Sequence, residues 1–155
     1  YLNTHVGSVV GSLTPFLGSA AAKGLILAPE PTILAAYVFA WQFQHFYGIC
    51  WTYKKDYDAA GFKMITEFDK TAKRTTGEVF LSIMMQMGSV VAMYKYDMIN
   101  AITFGALAVP FAFSFKHLYE FSKNPTKSRM VKKSAYTQFL MILLGIIVHK
   151  YGSNR

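Results

Sequence analysis

Residues Trp41 to Met64 read WQFQHFYGICWTYKKDYDAAGFKM, opening inside an apolar run and ending in a charged loop. Trp41 and His45 lie four residues apart and Asp56 a further eleven, about three turns at ~3.6 residues per turn. On an unbroken helix all three fall close to one line, with imidazole and carboxylate roughly 16 Å apart at ~1.5 Å per residue. Polar groups are costly in hydrocarbon, so Gln42, Gln44 and His45 inside an apolar run are functional candidates.

Working outward, the 155 residues are 53% hydrophobic, with 13 Phe and 10 Tyr, and only 15% charged. That is the composition of a membrane protein. The net charge of +8 does not point to nucleic acid, because the basic residues sit between apolar spans and no recognition motif accompanies them. A single cysteine, Cys50, excludes an intrachain disulfide.

The apolar periodicity predicts an all-α polytopic transmembrane bundle with about five spans: 1–22, 32–53, 78–94, 98–115 and 134–148. In the first, Gly7 and Gly11 with Ser8 and Ser12 offer a small-residue face, and Pro15 marks a kink. Pro31 suits the start of the second span, and Tyr47, Trp51 and Tyr53 near its end form an expected aromatic belt. Pro110 marks a kink in the fourth span, and the fifth is short. Met84, Met85, Met87 and Met93 are packing residues rather than a metal box. His117 and His149, near helix ends, read as interfacial.

Two basic loops, 54–77 and 116–133, each carry six of the 16 Lys and Arg. With five alternating spans they share a side, so the positive-inside rule puts both in the matrix or cytoplasm, with the N-terminus beside them. Asp56 faces the same compartment. Asp58 is two residues on, about 200° around a helix, so the two carboxylates share a metal only if the helix has already ended.

The stretch resembles the C-terminal half of the protoheme IX farnesyltransferase (haem O synthase) family, within the UbiA superfamily of membrane prenyltransferases. That family carries Trp-Gln-x-Pro-His-Phe, then Asp-Tyr, then Ala-Gly-x-x-Met. Here these are Trp41, Gln42, His45 and Phe46, then Asp56 and Tyr57, then Ala60, Gly61 and Met64. Phe43 is closer to mitochondrial than to bacterial members. Asn3, Thr4, Val6, Gly7, Val9, Val10, Gly11 and Pro15 match a further family stretch. Gln44 stands where the family has Pro, and Thr14 replaces the first of a common Pro pair.

The resemblance implies farnesyl transfer. Farnesyl diphosphate ionises, a vinyl group of haem b attacks the allylic cation, and water captures the resulting centre. Departure of the diphosphate is assisted by Mg²⁺, which takes hard oxygen ligands from carboxylates and phosphates. On this pattern Asp56 is the metal ligand and, with Tyr57, catalytic. Lys54 and Lys55 offset diphosphate charge, Trp41, Gln42 and His45 line the porphyrin or prenyl cavity, and Asn3 touches substrate at the membrane edge. The bland rivals are a solvated charge cluster at Asp56 and a histidine hydrogen-bonded within the bundle.

The family's first acidic motif, Asn-x-x-x-Asp, would precede Tyr1. The enzyme reading therefore expects a missing N-terminal half or a partner chain to supply it, in the mitochondrial inner membrane with the basic loops facing the matrix. The alternative is a catalytically inactive homologue kept as a structural transmembrane subunit of a respiratory complex, associated with cytochrome c oxidase. Retention of His45, Asp56 and Tyr57 favours the enzyme. Gln44 and Thr14 in place of Pro favour the alternative.

Overall fold

The computed structural model describes residues 2–24 and 27–153. Tyr1, the first residue of the expected 1–22 segment, lies outside the described residues, as do Leu25 and Ile26 of the connection that follows. The elements are α1 (Asn3–Ser12), α2 (Thr14–Lys23), α3 (Pro29–Thr52), α4 (Lys54–Ala59), α5 (Ile65–Phe68), α6 (Lys73–Lys95), α7 (Ala101–Ala106), α8 (Ala108–Lys123), a 3-10 turn (Pro125–Lys127) and α9 (Ser128–Ser153). Every regular element among the described residues is helical, and the chain is an all-α membrane bundle.

Among the described residues, three helical units are long and apolar enough to cross a membrane by length and composition: Lys73–Lys95, Ala101–Lys123 and Pro125–Gly152. The first two expected spans fall short by those measures. α1 and α2 have 10 residues each and meet at a bend at Leu13. Pro15 has no N–H to offer the Gly11 carbonyl. The Thr14 hydroxyl donates to that carbonyl instead, at 3.0 Å. α3 has the length, with 24 residues, but Gln42, Gln44 and His45 dilute its hydropathy. The expected kink at Pro110 is the break at Leu107 between α7 and α8, one turn earlier, where the carbonyl opposite the proline loses its donor. The last helix is not short. α9 runs 26 residues, extending past 134–148 at both ends. Lysine is a good helix former, and the Lys132 ammonium lies 5.1 Å over the Tyr53 ring.

α3 is the centre of the bundle, packed against α1, α2, α6 and α9, while α8 closes against α6 and α9. Its core position rests on Gln44, which is fully buried. The Gln44 amide nitrogen donates to Ser134 Oγ at 3.0 Å, Ser114 Oγ at 3.2 Å and the Val131 carbonyl at 3.4 Å. Its oxygen accepts from Gln86 Nε2 at 3.2 Å. One side chain thus ties α3 to α6, α8 and α9. The buried apolar core of the bundle includes Tyr37, Tyr47, Ile83, Met93, Leu107, Phe111, Val131 and Ile142. Tyr47 belongs to this core rather than to an interfacial belt, and its hydroxyl donates to Glu78.

The two basic loops meet at one end of the bundle, where Lys55 and Arg129 line a common cleft. At the other end His149 Nε2 sits 3.0 Å from Asp97 Oδ1. Close packing of α3 on α9 depends on Gly48: an added Cβ would lie 2.9 Å from Lys132 Cβ and 3.0 Å from its backbone nitrogen. Gly18 has nothing within 4 Å. Gly48→Ala should therefore destabilise the bundle by about 1–3 kcal/mol, in the range of overpacked cores. Gly18→Ala should leave it unchanged or slightly steadier. Thermal unfolding of the two variants in one detergent checks the contrast.

Candidate functional site

α3 ends at Thr52, and Tyr53, with φ −111° and ψ 27°, breaks it from α4. The helix is therefore not continuous from Trp41 to Asp56. Even so, Trp41, His45 and Asp56 all face α9. Trp41 Nε1 donates to the Ala135 carbonyl at 2.8 Å. Its ring is stacked between His45, centroids 4.7 Å apart, and Phe139 at 4.6 Å. His45 meets Tyr136 edge-on at 4.7 Å, and its Nδ1 is buried without a hydrogen-bond partner. Further along, the Thr52 and Ser128 hydroxyls are 3.1 Å apart. Beyond them Asp56 and Arg129 line one cleft.

Gln42 points to the opposite side. Its amide donates to the Ser8 carbonyl at 3.0 Å and lies against Gly11, where any Cβ would overlap it at 2.3 Å. Gln42 thus fastens α1 to α3, and Gly11 leaves room for it. Trp41 and His45 are packed against α9, and Gln42 is packed against α1.

The short helix α4 distributes the charged motif. At about 100° per residue, Asp56, Tyr57 and Asp58 leave it in three directions. Asp56 is exposed, and its hydrogen bonds among the described residues are those of its backbone, with Tyr53 and Ala60, so its carboxylate is uncommitted. It lines a cleft of about 500 Å³ with Trp51, Tyr53, Lys54, Lys55, Thr126 and Arg129. Asp58 pairs with Lys54 at 2.5 Å within the same helix. Because 54–59 is helical, the two carboxylates diverge and do not form a shared metal site.

Tyr57 turns toward α1 and lines a second, more apolar cleft of about 260 Å³ with Asn3, Thr4, Gly7, Phe46, Cys50, Phe62 and Met64. Partial burial pushes the Tyr57 phenol above its ordinary pKa. Gly61 makes this cleft possible. With φ +75° it closes α4, the Phe62 N–H reaching back to the Tyr57 carbonyl at 3.0 Å. That is the left-handed position of a helix stop, which glycine fills without strain. The chain then doubles back, so that Phe62 meets Tyr57 edge-on and Met64 Sδ lies 3.1 Å from Asn3 Nδ2.

Mg²⁺ takes one or two carboxylates plus waters and phosphate oxygens. No group of three or more His, Cys, Asp or Glu among the described residues forms an all-protein metal site. An exposed, uncommitted Asp56 beside cations fits a metal whose remaining ligands come from a phosphate-bearing substrate.

Two acidic residues that the sequence reading left without a role are structural. Asp69 is buried and accepts from the Thr75 N–H at 2.7 Å and hydroxyl at 2.8 Å. It thereby anchors the start of α6. Thr75 Oγ1 in turn accepts from Trp51 Nε1 at 3.1 Å. Glu78 gathers Arg74 Nε at 2.9 Å, the Tyr47 hydroxyl and His5. The Arg74–Glu78 spacing was visible as an i,i+4 pair, while the tyrosine and histidine arrive from other helices.

Residues 1–144 match the UbiA prenyltransferase family, and the chain belongs to that family. Among curated relatives, the chain is 40% identical over 79 residues to protoheme IX farnesyltransferase of Solibacter usitatus. It is 44% identical over 73 residues to the mitochondrial protoheme IX farnesyltransferase of Arabidopsis thaliana. These matches cover 51% and 47% of this chain but only 27% and 17% of the relatives' own lengths. No solved structure matches significantly.

Gly61→Ala would put a Cβ on a left-handed residue at a cost of roughly 1–2 kcal/mol and loosen the turn that carries Phe62 and Met64. Cys50 lies in the cleft they cover and is 2% exposed. Maleimide labelling of this lone cysteine should be several-fold faster in Gly61→Ala than in the parent chain. Equal rates would mean that the turn does not shield the cleft.

Proposed function

We propose that this chain supplies part of the active site of a protoheme IX farnesyltransferase, moving a farnesyl group from farnesyl diphosphate to a vinyl group of haem b. The observation that supports it most is the clustering of Asn3, Thr4, Gly7, Phe46, Tyr57 and Met64 around one cleft. All six belong to the motifs shared with that family, and they come from α1, α3, α4 and the turn before α5. The cleft is mostly apolar with two polar ends, Asn3 and the Tyr57 hydroxyl, which suits an isoprenoid chain or porphyrin edge entering from lipid.

In this reading Asp56 offers one carboxylate oxygen to Mg²⁺. When bound, the metal would supply positive charge to offset that of the diphosphate leaving group. Lys55 adds a positive charge beside it. Lys54 is held by Asp58, so it orients α4 more than it meets the substrate. The Trp41–His45–Phe139 stack stiffens α3 against α9 and sets where α4 emerges. Mg²⁺ would take its other ligands from phosphate oxygens and water. The chain works in the mitochondrial inner membrane, with the basic loops in the matrix.

A second reading has its own support in the packing of His45. The imidazole is stacked on Trp41 and meets Tyr136 edge-on where α3 packs against α9, as suits a scaffold. Here the chain is an inactive homologue serving as a transmembrane subunit of a respiratory complex. Mass spectrometry of the native, detergent-extracted particle separates the two: unrelated membrane subunits in fixed ratio favour the scaffold.

Asp56→Asn should abolish haem O formation in membranes that otherwise make it, while the protein stays inserted at normal levels. Chromatography of extracted haems reads the result. Undiminished haem O from that variant would sink the metal assignment.

A further inference from the structure

The Gln44 amide has polar neighbours that the protein alone does not satisfy. Gln86 and Gln138 are fully buried. Gln86 gives its amide nitrogen to Gln44, and its oxygen has no hydrogen-bond partner among the described residues. In Gln138 neither the oxygen nor the nitrogen has one. Turning that amide over only exchanges its two atoms, so a donor and an acceptor stay buried either way. Unpaired amides are costly away from water, and native interiors pair nearly all of them.

Helix directions bring these amides to one level. α3 and α9 are antiparallel, since Thr52 meets Ser128 and Trp41 meets the Ala135 carbonyl. α3 and α6 are antiparallel too, Trp51 meeting Thr75 and Gln44 meeting Gln86. A helical side chain leans toward the N-terminus of its own helix. Gln44 therefore leans one way along the bundle, while Gln86 and Gln138 lean the other way, toward it. Gln138 stands one turn beyond Ser134, on the face of α9 that already bonds Gln44. Ala40, one turn before Gln44, and Ala135 are small, fully buried residues at this level.

The mixture of unpaired atoms decides the ligand chemistry. Two oxygens need donors and one nitrogen needs an acceptor. A cation would suit the oxygens but would repel the Gln138 nitrogen, and an anion would do the reverse. Water both donates and accepts, and buried waters make about three hydrogen bonds to such groups. We propose that the bundle binds water between α3, α6 and α9, one molecule accepting from Gln138 Nε2 and donating to Gln86 Oε1, and a second donating to Gln138 Oε1. The Gln44 knot then extends through water to a further residue of α9, and the register of that helix is held at two successive turns, Ser134 and Gln138. The site is separate from both clefts beside α4 and stands whether or not the chain takes part in prenyl transfer.

The test uses the whole chain, isotope-labelled, in nanodiscs. Magnetisation transfer from water to side-chain amides is read at mildly acidic pH, where amide exchange is slow. The parent chain should show transfer to the Gln138 amide, a measurement that needs no variant to fold. Gln138→Met keeps the length of the side chain and removes its polar atoms. It should abolish that signal and, by leaving the Gln86 oxygen short of a partner, lower the melting temperature by roughly 2–4 °C. A dry core predicts the opposite sign. No transfer at Gln138, with a Met variant steadier than the parent, would overturn the proposal. Exchanging sodium and potassium for choline tests the rival ligand: the melting temperature should not move, and a fall would assign the site to a metal ion instead of water.

Discussion

A single buried amide sets the arrangement of this bundle. Apolar helices in lipid gain little from burying more hydrocarbon, so their mutual positions depend on packing and on polar groups that must find partners. Gln44 is such a group. Its hydrogen bonds reach Gln86, Ser114, Ser134 and the Val131 carbonyl, and so bind three helices to α3 at one level. Each bond in a membrane interior contributes only about 0.6 kcal/mol on average. Leaving the group unpaired there costs more, which makes the register of α3 specific rather than merely stable. α3 is regular throughout.

Once α3 is placed, its two sides have different tasks. One lies against α1, with Gln42 over Gly11, and continues to the cleft of Asn3 and Tyr57. The other lies against α9, with Gly48 admitting Lys132 at close range, and continues to the cleft of Asp56 and Arg129. α4 stands between the clefts as a six-residue helix. Consecutive residues on it face different surroundings, so the Asp-Tyr pair contributes to both. The charged loop after α3 is consequently part of the packed structure. Met64, Ile65, Thr66, Asp69 and Ala72 are all buried as the chain returns to α6.

Proline and hydroxyl residues govern the bends. Before Pro15 and again before Pro110 a helix is interrupted, at Leu13 and at Leu107, near a carbonyl that has lost its donor. Thr14 supplies a side-chain donor at the first of these.

Sequence alone determined the helical class, the membrane environment, the common end of the two basic loops and the motif residues worth following. These depend on composition and on periodicity along one chain, which a linear reading captures. It put Trp41, His45 and Asp56 on one line only for an unbroken helix, and α3 instead ends at Thr52 with a break at Tyr53. The length of α9 was hidden because Lys132 and Lys133 resemble the end of a span, although lysine is a good helix former and the Lys132 ammonium finds the Tyr53 ring. That Gln42 is a fastener to α1, that Gln44 is the knot, and that Arg129 stands across from Asp56 were decided by tertiary structure. Each depends on which face of one helix meets which face of another, and that follows from packing between residues as much as 90 positions apart.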